Sequence, residues 1–419
     1  MVEDLPENLL TVDQAIGILD ALPVAQRVKE QRIDDAGVLG LILAQDIVAD
    51  RDYPPFDRAL MDGVAVRSED GSASRRLVGE VAAGHVWERS VGSGECVAIM
   101  TGAPVPPGAD AVVPVEQITR RADGQVDINA AVTARQSIAY RGSDRPAGEV
   151  VLRRGATLTP AALAVLATVG AVTVKVYARP RVGVLTTGDE IIPIDGVPTG
   201  AQIRNSNNLL LCSMVRTLGA EPIDLGHVRD DPGLIRDAIE RASVDVLLVT
   251  GGMSMGEYDY VPRVLKEMGY ELPITKLKIK PGKPFVMGIR DRGLGLSENN
   301  PQSPIPSPHP PRIIFGLPGN PVSAYVCTLC LVSRVLKRMS GAGPEPRWLE
   351  VVLDNALPAN GPREFYQPAT VANGHCTVFS WKGSADLFTL AAANALVLRP
   401  AYDPARRAGD TVRAMEISL

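Results

Sequence analysis

Aromatic residues are scarce in this chain: Phe, Trp and Tyr make up 4% of 419 residues, so alanine, valine and leucine must fill most of any core. Histidine is rarer still. His85, His227, His309 and His375 are scattered, and no two are spaced as a metal-binding pair, so each reads as a loop or surface residue. The five cysteines are an odd number, and only Cys327 and Cys330 form a C-x-x-C. That pair lies inside an apolar helical run with no second pair to complete a zinc set, so buried thiols are expected. The opening MVEDLPENLL is acidic and lacks the basic and apolar regions of a secretory leader. The longest apolar stretch, Ala161 to Val174, is interrupted by Thr168, Gly170 and Thr173 and is too short to span a bilayer. A cytoplasmic protein with no membrane partner is the expectation. A net charge of −5 gives no basic field for nucleic acid, so any anion site must be local. Also missing are a P-loop (G-x-x-x-x-G-K-S/T), a G-x-G-x-x-G after a strand, and a nucleophile elbow with its Ser/His/Asp set. Those absences exclude P-loop nucleotide hydrolysis, dinucleotide redox chemistry and serine hydrolysis.

What is present is the composition of a soluble globular protein, 45% hydrophobic and 22% charged, at a length that calls for several domains. Thr11 with Gln14 forms a capping box that starts a helix from Val12 to about Ala21, and a further helical pattern runs near Asp34 to Ala44. From Leu77 to Ile138 short β-like runs alternate with glycine, with strands at Cys96 to Met100 and Ala111 to Val115. Met61-Asp62-Gly63 reads as a turn into a strand at Val64 to Val66, and Thr159-Pro160 starts a helix that Gly170 closes.

From Arg181 strands and helices alternate. Strands are expected at Val182 to Leu185, Pro222 to Leu225, Val244 to Val249 and Arg312 to Phe315. Helices are expected from Asn208 to Leu218, from Pro232 to Ala242, from Val261 to Met268 and from Val322 to Met339. This is the grammar of a doubly wound sheet with right-handed crossovers. The proline-, serine- and asparagine-rich stretch 290–312 reads as a surface insertion. After Gly343, runs at Leu349 to Leu353, Val378 to Trp381, Ala395 to Leu398 and Thr411 to Ala414 read as a C-terminal β domain. The expected organisation is therefore a mixed elongated domain (1–55 and 143–179), a small β domain (56–142), an α/β domain (180–340) and a β domain (341–419).

The chemistry-bearing residues fall on loops that follow the α/β strands. Val249 to Asp259, VTGGMSMGEYD, is a strand running into a glycine turn with acids behind it. Gly251 and Gly252 let a ligand approach the backbone, and Ser254 adds a hydroxyl. The alternative is an ordinary strand-to-helix loop in which Glu257 and Asp259 are merely solvated. Glu190 of TTGDE, Asp230 of RDD and Asp259 together suit a hard dication that bridges a phosphate. Asp231 reads as a helix cap, and Asp230 is open between the two roles. In LPGNP, Pro318, Gly319 and Asn320 precede a helix whose first N–H groups suit an anion, or Asn320 is only a cap. Lys276, Lys278 and Lys280 alternate with Leu277 and Ile279, as on one face of a strand, before the turn at Lys283. Such a face asks for an anionic ligand, unless the lysines guard a sheet edge.

The ordered set MDG, MTGAPVPPGADAVV, RGSD, TTGDE, GGMSMGEYD, KLKIKPGKP and GLPGNPVSA resembles the molybdopterin molybdenumtransferase family, that of MoeA and the gephyrin E domain, from about Thr11 to the C-terminus. The resemblance implies an α/β multidomain protein with a doubly wound, MoaB/Mog-like domain, two small β domains and an elongated N-terminal domain. It implies a homodimer whose cleft crosses the subunit interface. The implied activity is Mg²⁺-dependent insertion of molybdate into adenylylated molybdopterin, with release of AMP, and the implied partner is a molybdopterin adenylyltransferase. The motif positions match Asp62, Thr101, Glu190, Asp259, Lys276 and Lys280 as catalytic residues, and Glu190, Asp230 and Asp259 as metal ligands. Asp144, Gly251, Gly252, Ser254, Lys283, Pro318, Gly319, Asn320, Arg363 and Ser384 match as substrate-binding residues.

Two departures point to a less basic anion pocket than the family's. The segment before and including RGSD is SIAYRGSD, in which Arg141 is the one arginine, and Gln367 stands where the family has arginine, although Arg363 is present. The other functions that such a chain can serve are a scaffold of the gephyrin E-domain type, which binds a partner without turnover, and a pterin- or nucleotide-binding regulator.

Overall fold

The computed structural model describes residues 9–252, 260–290 and 312–417. They form two compact units. One comprises Met1–Lys29, Gly40–Ile42 and Val176–Leu419, and the other Glu30–Leu39 and Leu43–Lys175.

The smaller unit is built on a six-stranded sheet in the order Ala111–Pro114, Gly63–Val66, Glu95–Ile99, Arg75–Val81, Gln125–Ile128, Ile118–Arg120. Val64, Val66, Cys96, Val113 and Val126 fill one face, and Ala65, Val81, Val97, Ile99 and Val112 the other, as strand alternation requires. Gly63 is fixed by close approach between strands, not by a turn: a Cβ there would lie 1.9 Å from Val113 O. The helix Pro160–Thr168 starts as expected, with Thr159 Oγ1 accepting from Ala162 N and Pro160 in its first turn.

The larger unit holds a second six-stranded sheet, ordered Glu221–Val228, Arg181–Thr187, Val246–Thr250, Ile313–Leu317, Val286–Ile289, Glu271–Ile274. The first four strands are parallel and the last two are antiparallel. Both faces are covered. Val182, Val184, Val246, Leu248 and Phe315 pack with residues of the helices Val12–Ala21 and Ser206–Thr217. Leu185, Leu247, Val249 and Ile314 pack with those of Pro232–Arg241 and Tyr260–Glu267. This double cover explains the near-continuous apolar runs.

The third sheet closes on itself. Its cycle is Glu364–Ala372, His375–Val378, Trp348–Leu353, Thr411–Glu416, Ala395–Arg399 and back to Glu364–Ala372. Val351, Leu353, Ala369, Cys376, Val397 and Ala414 lie buried within it. The short strand Ile279–Lys280 adds to it in parallel, opposite Glu364 and Phe365. The architecture is thus α/β and multidomain, with one doubly wound sheet and two β bodies.

Several sequence expectations need correction. No helix forms over Asp34 to Ala44: the stretch is turns and isolated bridges, with Gly40 at φ +80° and Val38, Leu41, Ile42 and Leu43 buried from an irregular backbone. The nine-residue strand Glu364–Ala372 was not legible, because Pro368 lies within it and proline argues against strand interiors. The expected strand Val378 to Trp381 is instead His375–Val378. The long helix after Asn320 runs through Pro321–Cys327 and Ser333–Met339 but is interrupted by a π turn over Thr328–Val332. Of the 290–312 insertion, residues 291–311, His309 among them, lie outside the described residues; at its ends Arg290 N donates to Arg312 O at 3.1 Å. Cys327 and Cys330 are buried free thiols, and burial pushes both well above the ordinary thiol range. No described helix is long and apolar enough to cross a membrane.

Gly63→Ala should destabilise the smaller unit by about 2–4 kcal/mol, because the new methyl meets backbone that cannot rotate away. Denaturant unfolding with an unchanged midpoint for the smaller unit would contradict this.

Candidate functional site

In the smaller unit, Gly63 and Ile99 pair across adjacent strands, so the residues flanking them meet. Thr101 N and Thr101 Oγ1 both donate to Asp62 Oδ1, each at 2.7 Å. The two bonds, the backbone one foremost, hold the Asp62 carboxyl below its usual range, so it stays ionised and oriented. Leu60, Met61 and Met100 flank the pair with 43–48% of their surface exposed. Asp144 is not part of this pair. It bridges to Arg58 at 3.3 Å, and both line a cavity of about 430 Å³ with Tyr53, Phe56 and Gly102.

In the larger unit the loops at the carboxyl ends of the parallel strands converge. Gly251, at φ +104°, presses on Thr187: a Cβ there would lie 2.2 Å from Thr187 O. A Cβ on Gly252 would lie 3.8 Å from Asp230 Oδ1, and one on Gly319 would lie 3.8 Å from Gly251 Cα. Glu190 folds back over Gly188, where a Cβ would come within 2.6 Å of Glu190 Oε2. Gly251 is therefore required by backbone approach as well as by conformation, and Gly188 and Gly252 by their left-handed backbone.

Glu190, Asp230, Gly251, Gly252 and Gly319 thus share one crevice. Burial pushes the Asp230 carboxyl above its usual range, and the neighbouring Glu190 and Asp189 carboxylates add to the shift. The nearby Thr187 hydroxyl offsets part of it, yet neither Thr187 Oγ1 nor Asp230 Oδ1 completes a hydrogen bond of ordinary geometry. Asp231, by contrast, caps its helix by accepting from Leu234 N at 2.9 Å.

An orphaned acidic oxygen beside a second carboxylate fits a hard dication. Magnesium is commonly held by one or two protein carboxylates together with substrate phosphates. Among the described residues no cluster of three or more His, Cys, Asp or Glu is placed to hold a metal. Asp259 and Ser254, with Glu257, lie outside the described residues.

Asn207 was not singled out from the sequence. Its Nδ2 donates to Thr250 Oγ1 at 3.2 Å and to Gly319 O at 2.7 Å, which ties two of the converging loops together, and its Oδ1 is buried without a partner. The run Asn205-Ser206-Asn207-Asn208 was the available signal, but it reads only as a polar helix start, and Asn205 is indeed the cap.

Asn320 occupies the N-cap position, but its side chain does not cap. Its Nδ2 donates to Ser384 Oγ at 2.7 Å, while Val322 N donates to Ser384 O at 3.0 Å. One of the helix N–H groups expected to face an anion is therefore already used by the Ser384 turn. Pro318, buried, accepts from Thr250 Oγ1 at 3.0 Å through its carbonyl.

The lysine run is regular strand only over Ile279–Lys280, yet burial alternates as expected: Leu277 and Ile279 are fully buried, Lys276 and Lys280 half-buried, and Lys278 exposed. Lys278, Lys283 and Arg363 line a cavity of about 550 Å³ with Thr11 and Tyr402. Lys280 is placed otherwise, with its Nζ 4.2 Å from the Phe365 ring centroid. Gln367, two residues further along the same strand, has its Oε1 buried without a partner.

Sequence models of known families match nearly the whole chain: the MoeA N-terminal region (domain I and II) over residues 10–170, the probable molybdopterin binding domain over 183–338, and the MoeA C-terminal region (domain IV) over 350–417. The chain is 34% identical to the molybdopterin molybdenumtransferase of Haemophilus influenzae over 338 residues, 80% of this chain and 78% of that one. The chain belongs to the molybdopterin molybdenumtransferase family. Its relative in Staphylococcus aureus is 32% identical over 390 residues, 89% of this chain and 88% of that one. Among solved structures, the MoeA protein of Pyrococcus horikoshii superposes with a TM-score of 0.82 at 28% identity, covering 98% of this chain and all of that one. Family membership agrees with the fold class read from the strand–helix alternation.

Because folding raises the Asp230 pKa, the native state opposes its ionisation. That penalty is present above the unfolded carboxylate range and vanishes as pH falls below it. Asp230→Asn should therefore raise Tm slightly at neutral pH, on the order of 1–3 °C, with the gain disappearing near about pH 3. A variant less stable than the parent at pH 7 would contradict the electrostatic reading.

Proposed function

We propose that the chain is a molybdopterin molybdenumtransferase that acts in molybdenum cofactor biosynthesis, inserting molybdate into adenylylated molybdopterin with Mg²⁺ and releasing AMP. The observation that carries this is the gathering of Glu190, Asp230, Gly251, Gly252 and Gly319 at one carboxyl edge, in a unit that also holds Lys280 and the Asn320–Ser384 pair. Molybdate is a dianionic substrate and needs a cation with directed donors. Lys280 supplies the charge, with Lys276 nearby in the chain, and the Ser384 hydroxyl adds a donor. Lys283 and Arg363 line a cavity with Lys278, a further cationic surface suited to the substrate's phosphate. Glu190, Asp230 and Asp259 would hold Mg²⁺, which when bound neutralises charge on the phosphoanhydride. Gly251, Gly252, Ser254, Pro318 and Gly319 let the ligand lie against the backbone. Asp62, kept ionised by Thr101, orients substrate from the smaller unit, and Asp144 supports that surface through Arg58.

The protein works, on this reading, as a cytoplasmic homodimer with its cleft across the subunit interface, and receives its substrate from a molybdopterin adenylyltransferase. The exposed Leu60, Met61 and Met100 around Asp62 are apolar surface suited to being covered in that assembly. Domain limits at 1–55 with 143–179, 56–142, 180–340 and 341–419 belong to the same proposal.

Incubation with adenylylated molybdopterin, Mg²⁺ and molybdate should release AMP and yield active cofactor. Asp259→Asn should lower AMP release about 100-fold or more while the thermal transition is kept. No AMP release by the parent protein would favour a scaffold of the gephyrin E-domain type, and unchanged turnover in Asp259→Asn would remove that residue's role. Mixing Asp62→Asn with Lys280→Ala subunits should restore about a quarter of parental activity, the statistical yield of intact sites in a shared-cleft dimer. Mixtures as inactive as either variant alone would place each site within one subunit.

A further inference from the structure

Lys280 is held in an unusual way for a cation in an acidic protein. Its Nζ lies 4.2 Å from the Phe365 ring centroid and 5.7 Å from that of Trp381, and the two rings contact each other at 5.1 Å with a 40° tilt. Among the described residues no carboxylate pairs with it, whereas Arg58 and Arg229 are matched with Asp144 and Asp189. The register sets the arrangement: Lys280 pairs directly with Phe365 across the parallel strands. Trp381 follows the strand His375–Val378 and stands three residues before Ser384, whose turn is bonded to Asn320 and Val322. Trp381 Nε1 is buried without a hydrogen-bond partner, so no such bond fixes the indole, which packs at a tilt on Phe365 and against the core of the larger unit.

An aromatic face attracts an ammonium through its quadrupole and consumes none of its N–H donors. A carboxylate in the same place would neutralise the lysine and compete with any incoming anion. We infer that Phe365 and Trp381 are positioning residues, an aromatic cage that fixes Lys280 while leaving its charge and donors available to the oxyanion substrate. This rests on the assignment of Lys280 to the molybdate site.

The test compares molybdate binding by calorimetry, and KM against kcat, in the full-length protein carrying Lys280→Ala, Trp381→Phe, Trp381→Leu or Phe365→Leu. Trp381→Leu and Phe365→Leu should each weaken molybdate binding about five- to tenfold, with the loss in KM and not kcat, and Trp381→Phe should recover most of it. Loss in Lys280→Ala with unchanged binding in both leucine variants overturns the cage alone. Equal impairment in Trp381→Phe and Trp381→Leu also overturns it, since the ring face would not be what matters. Unchanged binding in Lys280→Ala overturns the assignment of Lys280 and the cage with it. The unaltered protein provides a check free of folding effects: the Lys280 ε-methylene protons should show an upfield ring-current shift by NMR, and their resonance at an ordinary lysine position overturns the inference.

Discussion

Two residues of backbone carry much of the organisation of the larger unit. Ile279 and Lys280 leave the doubly wound sheet and pair in parallel with Glu364 and Phe365 of the closed barrel. The following Pro281–Gly282 turn packs on the helix that starts at Pro321: a Cβ on Gly282 would lie 2.5 Å from Cys327 Sγ. The lysine loop, the helix after Asn320 and the Ser384 turn are thereby fixed to one another. Each lies on a different element, and none alone forms an anion site.

The acidic side of the crevice works by the opposite logic. There like charges are gathered, not separated, and Asp230 is raised because burial and its neighbours oppose ionisation. Such a site costs stability until a cation arrives, which is a common relation between function and marginal stability. Gly251 makes the gathering possible, since a side chain there would meet the Thr187 backbone and hold the two loops apart.

The sequence carried the strand–helix alternation, the Thr11 and Thr159 caps and the loops after each parallel strand, because those depend on local periodicity and capping chemistry. It did not carry the strand Glu364–Ala372, where Pro368 hides a barrel partner, nor the failed helix near Asp34, where the glycines outweigh the apolar spacing. At the site, motif acids and glycines were legible as residue types. The partnerships were not. Asn320 turns to Ser384 instead of capping, Asn207 bridges Thr250 and Gly319, and Lys280 meets Phe365, all through contacts distant in sequence. Long-range register decides these, and a single sequence does not encode register in any local pattern.

The barrel's last strand has a place that its position near the chain end conceals. Thr411–Glu416 lies between Trp348–Leu353 and Ala395–Arg399, antiparallel to both. Trimming it would open the cylinder in its middle and expose two hydrogen-bonding edges at once, each able to recruit a strand from another molecule. Cleavage that removes Thr411–Glu416 is therefore a route to self-association.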